Sequence, residues 1–121
     1  AKIYDLGKYP DQNQVYVSLS KFLKIKRENF LITSGIDGSI KSIFEIFTDP
    51  NEKVAVLSPT YAMYEVYSKL FRTKLIKIDY KNFKINRRKL YQVINDGVIK
   101  VLFLPNPNQP IESCLSISLL M

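Results

Sequence analysis

The 121-residue sequence predicts an α/β fold built on a mostly parallel sheet, and three observations carry that expectation. Apolar residues recur at helical spacing in four separate stretches. Between them lie short β-prone runs, of which Val54 to Leu57 and Val98 to Leu104 are almost uninterrupted in apolar residues, as strands covered on both faces are. The connections are short, and strands alternating with helices through short connections imply βαβ crossovers.

The first helix is predicted over Gln14 to Leu23, where Val15, Leu19, Phe22 and Leu23 share a face. Tyr9, Pro10 and Asp11 before it have the turn chemistry that suits a helix start. Phe30 to Thr33 is a short β-prone run stopped by Ser34 and Gly35, and it predicts a first strand. Ile40, Ile43, Phe44 and Phe47 then mark a second amphipathic helix that ends before Asp49-Pro50. Lys53 to Leu57 is a buried-type strand closed by Pro59. Met63, Val66, Tyr67, Leu70 and Phe71 form the face of a third helix, followed by a strand from Lys74 to Asp79. After a polar loop, Arg87 to Asn95 is a short helix with Leu90, Tyr91 and Ile94 inward. Asp96-Gly97 turns the chain into the last strand, Val98 to Leu104. No internal repeat is visible.

Composition narrows the chemistry. With 46% hydrophobic and 24% charged residues the chain can build a core. It contains no histidine, which excludes a Ser-His-Asp triad or a histidine zinc site made from these residues alone. The single Cys114 allows no internal disulfide and makes the cytoplasm the expected compartment. No metal site is expected. The net charge of +7 comes from 18 basic and 11 acidic residues spread along the chain. Clusters at Lys21, Lys24, Lys26, Arg27 and at Lys81, Lys84, Arg87, Arg88 continue into no nucleic-acid recognition motif, so a solvated face is expected and nucleic acid is not. No stretch approaches the roughly 20 apolar residues of a membrane span. The abrupt start at Ala1 and the stop at Met121 inside an apolar run predict a chain cut at both ends.

In parallel sheets ligands sit outside the carboxyl ends of the strands, which points to three loops. Ser34 to Gly38 puts two glycines at a helix amino terminus, where free N–H groups and the macrodipole favour a phosphate; the alternative is a plain turn with Asp37 as a helix cap. Ser58 to Tyr61 follows a buried strand, and Tyr61, Tyr64 and Tyr67 recur at helical intervals, as a cofactor platform or simply as core. Pro105 to Pro110 offers Asn106, Asn108 and Gln109 among three prolines, either as ligand donors or as a rigid surface turn.

Together these loops resemble the fold type I pyridoxal-phosphate aminotransferases of class I/II, and most closely the histidinol-phosphate branch. The resemblance runs from the KYPD at Lys8 to Asp11 through ENFLITSGIDGSIKSIFEIF, VAVLSPTYAMYEVY and VLFLPNPNQP. It implies a partial three-layer sandwich, with residues 1–29 leading into an incomplete cofactor-binding large domain at 30–121. It implies that the backbone amides of Ile36, Asp37 and Gly38 grip the phosphate of pyridoxal 5'-phosphate and that Tyr61 stacks on its pyridine ring. Tyr9 matches a tyrosine that reaches across a homodimer interface to the partner's cofactor phosphate. Gln109 falls where the family has the Asn of NPNNPTG that donates to the ring oxygen. Ile111 and Glu112 replace the Thr and Gly of that motif; Gln carries the same donor one methylene further out.

The family's Schiff-base lysine, its aspartate for the pyridine nitrogen and its substrate-binding arginine lie downstream of this motif, so no catalytic residue is assigned and none of the lysines present matches. The resemblance therefore implies the amino-terminal part of an enzyme that moves an amino group between an amino acid and a 2-oxo acid, inactive as an isolated chain. Histidinol phosphate, aromatic amino acids and phosphothreonine all occur as substrates in similar scaffolds. The rival expectation is a non-catalytic basic α/β module that binds nucleic acid or an acidic partner.

Overall fold

The computed structural model describes residue 9, residues 11–111 and residues 114–116. The chain forms two compact units that divide between Thr33 and Ser34.

In the first unit, α1 (Asn13–Leu23) starts just after Asp11, whose carboxylate accepts the Asn13 N–H at 2.9 Å. It ends at Lys24, which adopts the left-handed conformation with φ 54° and returns its N–H to Ser20 O. A single 3₁₀ turn, Arg27–Asn29, follows. Tyr16 organises the unit: its ring stacks on Phe30 at 5.4 Å, the Arg27 guanidinium lies 5.4 Å from the same ring, and its hydroxyl accepts the Ile32 N–H at 3.1 Å.

That arrangement corrects one expectation. Phe30 to Thr33 is not a strand; Phe30 is extended at φ −146°, ψ 153°, yet the run joins no ladder among the described residues. Its β-prone composition produces extended backbone, but Phe30 stacks on Tyr16 and the Ile32 N–H goes to a side chain instead of a neighbouring strand.

The second unit contains α2 (Gly35–Phe47), β1 (Lys53–Ser58), α3 (Met63–Leu70), β2 (Lys74–Asp79), α4 (Arg87–Asn95) and β3 (Ile99–Phe103). The sheet has the order β2-β1-β3 with both pairings parallel. β1 pairs with β2 in unbroken register from Lys53↔Lys74 to Ser58↔Asp79. Its pairing with β3 is irregular once, between Lys53 and Val54. The predicted helices and the three later strands are present, each within a residue or two at its ends; in α4, however, Leu90 and Val93 face inward, whereas Tyr91 and Ile94, expected there, are about half exposed.

Because side chains alternate across a strand, the buried run of β1 feeds two separate cores. Val54 and Val56 join Ile40 and Phe44 of α2, Tyr64 and Tyr67 of α3, and Phe103. Ala55 and Leu57 join Ile78, Leu90, Val93 and Leu115. Helices α2 and α3 therefore cover one face of the sheet and α4 the other, in three layers. Phe44 centres the first core, with ring centroids of Phe103, Phe71 and Tyr67 at 5.2, 6.1 and 6.3 Å. Among the described residues no helix is long and apolar enough to cross a membrane.

Candidate functional site at the carboxyl ends of the strands

The loop before α2 needs a glycine for its backbone. Gly35 has φ +73°, while a Cβ built there would meet nothing within 4 Å, so the requirement is conformational and not one of space. Ile36 and Asp37 lie before the first intrahelical hydrogen bond, and their N–H groups have no acceptor within the helix; Gly38 follows directly. Ser34 at the cap position makes no side-chain capping bond. Asp37 does not cap the helix either. Its Oδ2 accepts the Tyr67 hydroxyl at 3.1 Å, and its Oδ1 is buried with no partner among the described residues.

The tyrosine row divides by environment. Tyr64 and Tyr67 are buried at 6% and 8% exposure and belong to the core, whereas Tyr61, one residue before the turn into α3, is 44% exposed. Burial pushes the Tyr64 hydroxyl above its usual range. Tyr67 is raised by burial first, then by its hydrogen bond to and the charge of Asp37, with a smaller contribution from Tyr61. Tyr67 thus ties α3 to the first loop through Asp37. Beside Tyr61 lies a cavity of about 210 Å³ that Ser58, Thr60, Tyr64, Glu65 and Lys77 help to line. Glu65 bridges Lys77 of β2 at 2.7 Å and Lys69 at 3.0 Å, and hydrogen bonds from these two ammonium groups hold its pKa down at about 2.

The third loop sorts its amides. Asn106 pairs with Leu115 as a strand would: its Nδ2 donates to Leu115 O at 3.1 Å and its Oδ1 accepts the Leu115 N–H at 3.0 Å. Asn108 is 1% exposed. Its Oδ1 accepts from Thr60 Oγ1 at 2.7 Å, and its Nδ2 donates to Pro59 O and to the Tyr80 hydroxyl, both at 2.9 Å. Gln109 is exposed. Sequence reasoning did not separate Asn108 from its two neighbours, nor Tyr67 from Tyr61 and Tyr64. The one usable signal was the distance of Tyr67 from the loop, six residues beyond Tyr61 and well inside a helix. Tyr9, in the first unit, is fully exposed.

The first loop is thus tied to α3 through Tyr67, and the second and third loops meet around Asn108. The family model for aminotransferase class I and II matches residues 6–118. The chain belongs to this family. A histidinol-phosphate aminotransferase of Clostridium novyi (strain NT) is 32% identical over 102 residues, which are 84% of this chain and 29% of the relative. A histidinol-phosphate aminotransferase of Sinorhizobium meliloti, solved in complex with pyridoxal-5'-phosphate, superposes with a TM-score of 0.79 at 20% identity, covering 88% of this chain and 29% of that one. Cystalysin of Treponema denticola, a structure containing a pyridoxal 5'-phosphate cofactor, gives a TM-score of 0.79 at 21% identity over 93% of this chain and 32% of its own. The chain spans about a third or less of the aminotransferases it matches, and the sheet above is the fold type I sheet over that span.

Proposed function

We propose that this chain supplies part of the cofactor cradle of a pyridoxal-phosphate-dependent aminotransferase, a histidinol-phosphate aminotransferase-like enzyme of amino-acid biosynthesis in the cytoplasm. The observation that supports this best is the uncapped amino end of α2. Neither Ser34 nor Asp37 caps it with a side chain, so the backbone donors of Ile36 and Asp37 are left to an anion, with Gly38, one position further in, leaving room for its close approach; the helix dipole favours the same charge. The Asp37 carboxylate, which would repel a phosphate, is drawn toward Tyr67 instead. The half-exposed Tyr61 offers a ring face on which a flat heteroaromatic can stack, while Tyr64 and Tyr67 are committed to the core.

Bound pyridoxal phosphate would supply an electron sink for removal of a proton next to an amino group. The work of this chain is then to bind and orient. The α2 terminus holds the phosphate, Tyr61 fixes the plane of the ring, and the amide of Gln109 is the donor for the ring oxygen. Residues 30–121 are the cofactor-domain portion, with 1–29 leading into it. Tyr9, fully exposed here, reaches a partner protomer's cofactor phosphate in a homodimer of the complete enzyme. An amino acid is the substrate. None of the lysines present takes the covalent role, and transamination by these 121 residues alone is expected to be negligible.

Pyridoxine 5'-phosphate lacks the aldehyde and cannot react with lysine, so it tests the cradle alone. It should bind the chain more tightly than inorganic phosphate, and Tyr61→Ala should abolish the difference while Lys81→Ala leaves it intact. Equal binding by both variants would show that the loop assignment is wrong. Borohydride reduction with pyridoxal phosphate should give scattered lysine adducts by mass analysis; one stoichiometric, site-specific adduct with turnover would overturn the non-catalytic assignment.

A further inference from the structure

Asn108 and Ser68 are the buried polar residues among those described, and Asn108 is the one at the ligand end of the sheet. Its amide orientation follows from its partners. Pro59 O can only accept, so it must face Nδ2; the opposite orientation would set two carbonyl oxygens against each other at 2.9 Å. In this orientation both amide protons are used, on Pro59 O and the Tyr80 hydroxyl, and Oδ1 takes the Thr60 hydroxyl. One side chain from the third loop therefore grips two consecutive residues of the second and the residue that follows β2. Tyr80 is itself fixed, its N–H donating to Ser58 O at 3.0 Å. The residue immediately after the gripped pair is Tyr61.

Thr60 and Pro59 carry no core packing that would hold them otherwise; Pro59 is exposed and Thr60 only partly buried. Asn108 thereby fixes the two residues through which the chain enters Tyr61, whose own carbonyl accepts the Tyr64 N–H at 3.4 Å at the start of α3. We propose that Asn108 is a positioning residue that holds the Pro59 to Tyr61 loop so that the Tyr61 ring presents its face to a flat heteroaromatic phosphate ester. The inference rests on the cradle reading above. It assigns the two neighbouring amides different tasks: Asn108 faces inward and holds the loop, and the exposed Gln109 is left for the ligand.

The test uses the 121-residue chain and Asn108→Asp, which keeps the shape and the acceptor for Thr60 but turns an oxygen toward Pro59 O. Three quantities are measured: backbone order parameters by ¹⁵N relaxation without ligand, affinity for pyridoxine 5'-phosphate, and affinity for inorganic phosphate. In the variant, order parameters at Thr60 and Tyr61 should fall from about 0.85 toward 0.6, with Ile36 to Gly38 unchanged. Affinity for pyridoxine 5'-phosphate should fall about tenfold, as the loss of buried hydrogen bonds predicts, and that for phosphate should not change. Thr60→Val, which removes a single bond, should give about a threefold loss on the same readouts and carries the test if Asn108→Asp does not fold. Unchanged order at Tyr61 overturns the inference. Equal loss for both ligands also overturns it, since that marks a residue needed only for folding. A wild-type chain that binds pyridoxine 5'-phosphate no better than phosphate is a different result: it refutes the cradle reading and removes the ligand role of Asn108 with it, even where the loop loosens as expected.

Discussion

Phe44→Ala should damage the cradle from two helical turns away. Phe44 is fully buried and lies where α2, α3 and β3 meet, with three aromatic rings within 6.3 Å of its own. Removing a buried Phe side chain costs about 3–5 kcal/mol, and more when the cavity cannot collapse. Collapse is hindered here, because Tyr67 is tied through its hydroxyl to Asp37 and Phe103 is held in the sheet. A loss of about 4 kcal/mol is therefore expected, against about 5–15 kcal/mol for the whole stability of a typical domain. Urea unfolding followed by helical circular dichroism reads it directly. Ile46→Ala is the control: Ile46 is on the same helix but 67% exposed, and a change within about 0.5 kcal/mol is expected. The consequence for the site is that α2, loosened from the sheet, presents its amino end less rigidly, so phosphate affinity should fall even under conditions where Phe44→Ala is still folded. A stability loss below about 1 kcal/mol, or equal losses in the two variants, would refute the docking of α2 described above.

Two further outcomes follow from the electrostatics. Tyr67→Phe removes the hydroxyl that engages Asp37, and should lower the urea midpoint without changing the slope of the transition. The Tyr67 hydroxyl is raised by burial and then by Asp37, so its contribution is intact below the ordinary tyrosine value of 10.0 and is lost as pH rises above it; the variant should lack that alkaline component in a stability titration. Glu65 runs the other way. Its pKa of about 2, lowered by hydrogen bonds from Lys77 and Lys69, means that its contribution is present above 4.5 and disappears as pH falls toward 2. Glu65→Gln should lower stability slightly at pH 7, since exposed ion pairs contribute little, and by the same amount that the parent chain loses between pH 4.5 and 2, so that the two stability curves converge at acid pH.

Legibility followed the physics of each element. β1 was readable because a central parallel strand must be apolar on both faces, and Val54 to Leu57 are. The helices were readable from their period. Phe30 to Thr33 was misread because β-propensity reports only a preference for extended backbone; whether that backbone pairs depends on what lies beside it, and here Tyr16 supplies the partners. The inward placement of Leu115 was equally out of reach, since it depends on the Asn106 side chain pairing with a backbone nine residues on. In the tyrosine row, period alone could not say which ring faces solvent. The helix boundary decides it: Tyr61 precedes the α3 turn, and Tyr64 and Tyr67 lie on the inward face after it.

The same limit explains the third loop, where three amides share one chemistry and differ only in what surrounds them. Asn106 and Asn108 are two residues apart and both direct their amides into the protein, one to a backbone that continues the fold and the other to the loop that carries Tyr61. Each makes paired donor and acceptor contacts, which need an oxygen and a nitrogen on a short stem at a fixed distance from the backbone. Gln109, one methylene longer and exposed, meets neither requirement. The family motif concentrates attention on the position before the second proline, where this chain has substituted Gln for Asn. The positions where an Asn is structurally required are those it has kept, and exchanging Gln109 for Asn should therefore alter ligand affinity without altering stability, whereas exchanging Asn108 for Gln should alter both.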